Sequence, residues 1–426
     1  MGVKTRKLSQ INDSLIEWQS VVVADGSTGL TAVAGRGYFI NTTGGAITVT
    51  TPASPKQGDK IVIVDYAGTF ATNKVTINFN GAKIFGASNT ATLGTNFQAV
   101  DLIYIDNTQG WRTVNQDTTS DIQSIEFISA TGGTLLTSGD FKTHVFTGDG
   151  CFVVSAAGNS AGSNSVEYLV VAGGGAGTRA SAGGGGAGGY RQNYPSPVST
   201  GLPVSVSTYP ITVGGGGAAG VPGGPGVNVT KGSNSIFSTI TSSGGGTSGD
   251  GSPPNGKDGG SGAGTGDTSP TFAGIGNSPP VSPPQGNNGG VGAPFRPSPL
   301  AGNAGGGGGA GAVGQSSPGS AQSGAGGIGS PIATDFFGPT APSYGTAGPA
   351  PGRYFAGGGG GGSYVDASGG AGGSGGGGAG GGPPSEGTSG TSNTGGGGGG
   401  GRHPGAAENK GGAGGSGIVV IRYKFQ

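Results

Sequence analysis

Residues 395–426 read GGGGGGGRHPGAAENKGGAGGSGIVVIRYKFQ. Seven glycines run together, a broken glycine run follows, and the chain then turns abruptly into a β-branched strand signal at Ile418. The same junction occurs in reverse at residues 167–177, EYLVVAGGGAG. Two strands, 168–171 and 418–423, therefore bracket the glycine-dominated stretch, which predicts an insert held at both ends. Inside it, 31 large apolar or aromatic side chains are spread over residues 173–416. That is too few for a conventional core, and glycine loses more backbone freedom on folding than any other residue. A flexible coil is the default. One physical alternative exists. Without a Cβ, extended polyproline-II-like chains can lie side by side and pair their buried N–H and C=O groups laterally, with Cα–H···O contacts adding to the array. At ~3.1 Å per residue a seven-glycine run spans roughly 22 Å. Runs at 183–189, 305–309, 357–362, 375–382 and 395–401 suit such rods, parallel and antiparallel. Proline suits them through its fixed φ, and Ala or Ser interruptions are expected on the outside. The long runs break any Gly-X-Y period and exclude collagen.

Glycine is unevenly distributed: only 18 of 106 fall in residues 1–150. Lys+Arg and Asp+Glu stand at 20 each, and charged residues are 9% of the chain. The balance offers no basic footprint for nucleic acid and no polybasic membrane patch. The single cysteine, Cys151, excludes an intrachain disulfide framework. The opening MGVKTRKLSQ is not followed by an apolar h-region, and no apolar stretch is long enough to span a bilayer.

The first third divides in two. Leu8, Ile11, Leu15 and Trp18 follow a/d heptad spacing. A helix this short needs partner copies or a docking surface, so residues 1–20 are expected to be a short helical or coiled anchoring and trimerisation segment; a frayed amphipathic arm is the alternative. Residues 21–118 carry short alternating strands between turn signals, with two strands placed around Gly44-Gly45. Ile61 and Ile63, then Val75, Ile77 and Phe79, each mark one face. The expectation is an antiparallel β-sandwich, a linker at 119–123, and a glycine-rich domain over 124–426. The chain is all-β.

GYFINTTGGAITVTTPASPKQGDKIVIVDYAGTFATNKVTI at residues 37–77, with IYIDNTQGWR at 103–112, resembles a module of virion fibre proteins of marine and cyanobacterial phages. In the rest of the chain HVFTGDGCFVV, EYLVVAGGGAG, YPITVGGGG, GSNSIFSTITSSGGG and GGSGIVVIRY occur in order. This series resembles the glycine-rich domain of phage tail fibres and receptor-binding adhesins. In the T-even-type tip adhesins this class implies stacked polyglycine II helices, with variable loops at one end that contact the host surface.

Segments of different character interrupt the runs: NSPPVSPPQGNNGG, GAPFRPSPLAG, IATDFFGPTAPSYG and APGRYFAG. They read as loops and, with Phe272 just before the first of them, concentrate Phe295, Arg296, Phe336, Phe337, Tyr344, Arg353, Tyr354 and Phe355. Aromatics and arginine carry binding energy at interfaces, and aromatic faces suit sugar rings. These nine are the candidate receptor-binding residues; the competing role is that large side chains pin rods together.

Motifs for catalysis or cofactors fail. Residues 324–329 fit GxGxxG without the flanking strand and helix, and Asp258 stands where a Walker loop needs Ser or Thr after Lys257. His144 and His403 are far apart and lack Cys ligands. Asp101 with Asp106, or Asp117 with Asp121, has a spacing that surface decoration also gives. Asn12, Asn41 and Asn228 fit N-x-Ser/Thr, which has no meaning without a secretory route.

No cofactor or metal is implied. The reading is a non-enzymatic phage tail fibre located in the virion. It is expected to be a homotrimer, bound through its N-terminus to tail, baseplate or collar proteins. Its glycine-rich part is expected to meet host polysaccharide or an outer-membrane protein, with no nucleic acid and no membrane insertion. The alternatives are a purely structural head or collar fibre, a bacterial surface adhesin, and a polysaccharide depolymerase.

Overall fold

The computed structural model describes residues 16–114, 123–124, 126–159, 162–194, 201–219, 229–248, 255–267, 272–293, 302–319, 322–364, 367–403 and 410–426. It divides into two compact units, Met1–Glu126 with Gly158–Gly162, and Phe127–Ala157 with Ser163–Gln426. Strands dominate both; among the described residues the helical turns are 3-10, at Thr334–Phe336 and Gly338–Ser343.

The first unit is built from two facing sheets, but its central pairing is parallel. The chain alternates between them: Arg36–Asn41 lies in the first sheet, Ile47–Thr50 in the second, Lys60–Asp65 in the first, Val75–Asn78 in the second. Arg36–Asn41 pairs in parallel with Lys60–Asp65, and Ile47–Thr50 with Val75–Asn78. Each two-strand coil therefore stacks on the one before, and Ala91–Leu93, Ala99–Asp106 and Gly110–Thr113 close the stack antiparallel. This corrects the antiparallel expectation. Period-2 alternation is identical in parallel and antiparallel strands, and the Gly44-Gly45 turn makes a corner between sheets rather than a hairpin. A Cβ on Gly45 would sit 2.6 Å from the Gly26 backbone in the preceding coil. The core is Ile40, Ile61, Ile63 and Leu102 against Val49, Val75, Ile77 and Leu93. At one corner the buried Asp65 carboxylate accepts N–H bonds from Ala67, Gly68, Thr69, Phe70 and Phe97, closing two loops at once.

Trp18 is not helical. It lies in the edge strand Glu17–Trp18, parallel to Arg36–Asn41, with its ring stacked 4.6 Å from Phe39. Glycine at position 37 leaves the room the indole occupies. Leu8, Ile11 and Leu15 lie outside the described residues.

The second unit begins as an antiparallel sandwich. One sheet orders Ile128–Thr131, Gly150–Ala157, Ser207–Thr212, Ser235–Phe237 and Ile240–Ser242. The other orders Thr134–Ser138, Phe141–Phe146, Ile418–Lys424, Ser165–Val171 and Tyr190–Gln192, with Leu202–Pro203 beside Ser165–Val171. The two bracketing strands are direct neighbours, Val171 opposite Ile418 and Glu167 opposite Arg422. Both faces of Ile418–Lys424 are buried. Val419, Ile421 and Tyr423 enter the sandwich core with Phe152 and Phe237, while Ile418 and Val420 pack against Phe336, Phe337 and Phe355.

His144 is buried in the sandwich core. Its Nδ1 is 2.6 Å from the Gly132 carbonyl and its Nε2 is 3.2 Å from the Tyr423 hydroxyl. The Gly132 carbonyl can only accept, so Nδ1 carries the proton and neutral Nε2 accepts from Tyr423. Burial holds the imidazole below its ordinary 6.5. The unfolded chain therefore binds the proton more readily, and stability from this site is complete above pH 6.5 and falls as pH drops below it. Calorimetry is expected to show the second unit's melting temperature falling from pH 6.5 to 5, with the slope reduced in His144→Gln.

Candidate functional site

Past Val171 the chain enters a stack of extended rods. Rod 182–189 shows the rule. The amides of Ala182, Gly185 and Gly188 donate to the carbonyls of Gly401, Gly398 and Gly395. Those of Gly184 and Ala187 donate to Gly305 and Gly308, and those of Gly186 and Gly189 to Gly246 and Ser243. Partners recur every third residue, as a three-residue-per-turn helix requires. The carbonyls of this rod accept in the same rhythm from Ala172 and Gly175, from Ser261 and Gly264, and from Gly359 and Gly362. Rod 182–189 is thus surrounded by six others. It runs parallel to 302–309 and antiparallel to 395–403. Rod 357–363 repeats the pattern, donating to 375–381, 324–327 and 182–185. These are polyglycine II-like helices in hexagonal array.

Glycine is demanded by the neighbours. A Cβ on Gly185 would lie 2.2 Å from the Gly175 oxygen, and one on Gly184 2.0 Å from the Gly359 oxygen. The Cα–H bond that a side chain would replace points at a carbonyl oxygen, the geometry of a Cα–H···O contact. Small residues are not confined to the outside as expected. Ala176, Ala187, Ala263, Ala304, Ser261 and Ser363 are fully buried, whereas Ala371 and Ala379 of peripheral rods are exposed. A single methyl or hydroxymethyl group fits inside wherever the local register leaves a gap.

The register also orients the stack. Residues 172, 189, 395 and 417 lie next to the sandwich, because 172 and 417 adjoin the paired strands and Ala172 and Gly188 donate to Gly189 and Gly395. Residues 178, 182, 248, 265, 303, 363, 401 and 410 therefore define the far face. Its described side chains are mostly polar. Thr178 and Ser248 join through their hydroxyls, Asn303 donates to the Gly319 carbonyl and accepts from the Tyr364 amide, and Tyr364 stacks 4.7 Å from His403. Arg179, Lys257 and Lys410 are exposed around it.

The predicted binding residues divide between the two ends. Phe272 sits at the far end, beside the Asn255 side chain that caps its amide, with a fully projecting ring. Phe295 and Arg296 lie outside the described residues. The others belong to the sandwich end. Phe336, Phe337, Tyr354 and Phe355 are buried, and Phe337 packs on Phe336, Tyr344 and Phe355 at centroid distances of 5.3, 5.1 and 6.0 Å. Arg353 is spent on the carbonyls of Pro342, Tyr344 and Gly345. Phe336, Phe337 and Phe355, with Tyr344 against them, form the floor that seats the rods on Ile418 and Val420 of the sheet, a pinning role. Aromatic content alone does not reveal this, because a core residue and a contact residue look alike in sequence.

Tyr364, His403, Asp267, Asn303 and Ser181 of the far face were missed. They follow or precede glycine runs at the ends remote from the strands, and counting rod reversals from Val171 locates them.

Asp267 is buried at this face, and burial pushes its carboxyl up to about 6 against the opposing hydrogen bonds of its own amide and Ser181. The Ser181 hydroxyl also donates to the Ser363 carbonyl at 3.1 Å. One hydroxyl proton cannot serve a carboxylate and a carbonyl together, whereas a protonated Asp267 can donate to Ser181 Oγ and leave that bond intact. The raised pKa makes the contribution to stability complete below pH 3.8 and lost as pH rises through about 6. At pH 7, Asp267→Asn is expected to slow amide exchange of residues 181–187 and 262–267, with little effect at pH 4.

The family comparison agrees with this architecture. A family model described as a glycine-rich domain matches residues 154–424. The chain belongs to this glycine-rich domain family. A search of curated proteins finds no match. The matched span takes in the rods and both bracketing strands, Ser165–Val171 and Ile418–Lys424. Within it, Gly185→Ala is expected to lower the stability of the second unit by about 3 kcal/mol or more in urea titration, through displacement of a neighbouring backbone. Gly215→Ala, where a Cβ meets nothing within 4 Å, is expected to change it by less than about 0.5 kcal/mol.

Proposed function

We propose that the protein is a non-enzymatic fibre of a phage particle that attaches the virion to its host through the far face of the glycine-rich block. The observation that carries this reading is the one-sided geometry. The rods are cross-linked along their length and seated on a sheet at one end, so the described residues at the other end, Thr178, Ser248, Asn303 and Tyr364 among them, stand on a cross-linked base. Rigid presentation lowers the ordering cost of binding. The resemblance of residues 37–112 and 144–423 to virion fibre proteins and their adhesins supports the same reading. In it, three copies lie side by side, the N-terminal region joins tail, baseplate or collar proteins, and many weak far-face contacts act as one multivalent attachment. The host-side target is a surface polysaccharide or an outer-membrane protein. No catalytic step is part of this reading.

Virions carrying Phe272→Ala together with Tyr364→Ala are expected to adsorb to host cells at least tenfold more slowly, with unchanged particle yield. Undiminished adsorption by these particles, or release of oligosaccharide from host envelope by purified protein, defeats the reading.

A further inference from the structure

Three cations converge on one corner of the far face. Rods 172–178 and 395–403 run parallel: the amides of Gly398 and Gly401 donate to the carbonyls of Gly175 and Thr178, and the same register sets Arg402 level with Arg179. Rod 410–417 runs antiparallel to both. Gly174 and Gly177 donate to Gly415 and Gly412, and Gly415 and Gly412 donate to Gly396 and Gly399, which brings Lys410 to the same level. The three rods touch pairwise, so Arg179, Arg402 and Lys410 end a triangle of neighbours. Among the described residues none of them enters a salt bridge. One acid, the exposed Glu386, adjoins Lys410, because the Gly387 amide donates to the Lys410 carbonyl. Asp267 is buried on the opposite side of rod 182–189. In a chain whose charges balance overall, this corner carries a positive surplus.

The corner is also incomplete as a hydrogen-bonded structure. Arg402 Nε and His403 Nδ1 are buried and have no partner among the described residues. Buried polar atoms are almost always paired, and leaving one bare costs more than a made bond returns. Here two such atoms sit on consecutive residues beside unpaired cations. Next to them the His403 amide donates to the Ser363 carbonyl, and this register lays Tyr364 against His403, ring on ring at 4.7 Å. Both residues are half-buried. We infer that this corner binds an acidic sugar, a pyranose bearing a carboxylate or a phosphate. The planar guanidinium of Arg402 matches either anion. Arg179 and Lys410 supply the remaining charge, and the Tyr364–His403 pair offers a flat apolar edge for the ring. An acidic peptide would meet the cations but has no sugar ring to lay on the stacked pair. A nucleic acid would need a longer basic track than one corner supplies.

This site belongs to the far face and so rests on the proposed function, whose host contact it refines. The full chain is expected to bind immobilised polygalacturonate, which presents the carboxylate, or phosphomannan, which presents the phosphate, and not dextran, with affinity falling as salt is raised. Arg402→Gln is expected to weaken that binding at least tenfold, and Lys410→Gln, at an exposed side chain, at least threefold, both with unchanged circular dichroism. Lys74→Gln, exposed in the first unit, leaves it unchanged. The chain has two histidines, so NMR of their rings gives a readout free of mutation: His403 is expected to shift on titration with the bound polymer, and His144, buried in the sandwich, to stay. Retention by neither anionic polymer, equal retention by dextran or by polyglutamate, or binding that the folded Arg402→Gln and Lys410→Gln variants leave intact overturns this site. Attachment through the far face is judged separately, by the adsorption of particles carrying Phe272→Ala with Tyr364→Ala.

Discussion

Every residue of a glycine rod sends its amide in a different direction and returns to the same neighbour three residues later. The architecture of the second unit follows from that rotation. A β-strand has hydrogen-bonding neighbours on two sides, so a sheet grows in one plane. A rod with three donor and three acceptor directions is tied to six others, so the array is cross-linked in all lateral directions without side chains. Fixing a residue's backbone costs about 1–2 kcal/mol. A net hydrogen bond returns about 1 kcal/mol, and a Cα–H···O contact about 0.5–1 kcal/mol. The terms nearly cancel, so the rods need an anchor that supplies a surplus.

The sheet is that anchor. Ser165–Val171 and Ile418–Lys424 pair antiparallel where the chain enters and leaves the block, and both faces of Ile418–Lys424 are buried. One face completes an ordinary sandwich core. The other meets Phe336, Phe337 and Phe355, which come from between rods and fill the step from flat sheet to hexagonal stack. Hydrophobic burial, scarce elsewhere in this unit, is concentrated where it fixes the starting register of the rods. Arg422, paired with Glu167 at 2.6 Å and lying 3.7 Å from the centre of the Phe141 ring, ends the same strand pair without leaving a bare buried charge.

Much of this was legible in the residues. The glycine runs, the bracketing strands and the poverty of large side chains leave lateral main-chain pairing as the only dense packing available, and the structure has it. The first unit was legible as two alternating-strand sheets but not as parallel coils, since alternation carries no strand direction. The aromatic segments were legible as distinct from the rods. Their position was not, because Phe336 and Phe272 have the same composition-level signature and differ only in which end of the stack their segment falls on. That information lies in the parity of rod reversals. It becomes readable once Val171 and Ile418 are known to mark one end.

The same parity separates what the sequence must keep from what it is free to change. A residue inside a rod is confined to glycine, or at a few gaps to Ala or Ser, by carbonyl oxygens about 2 Å from where a Cβ would stand. Segments at the sandwich end are confined by a packed aromatic floor. The amide register of the rods is set by neighbours along each rod and not by the turns between them. Loop closure adds only slowly with length. A chain built this way can change the length of a rod-to-rod connection at small cost to the rods themselves.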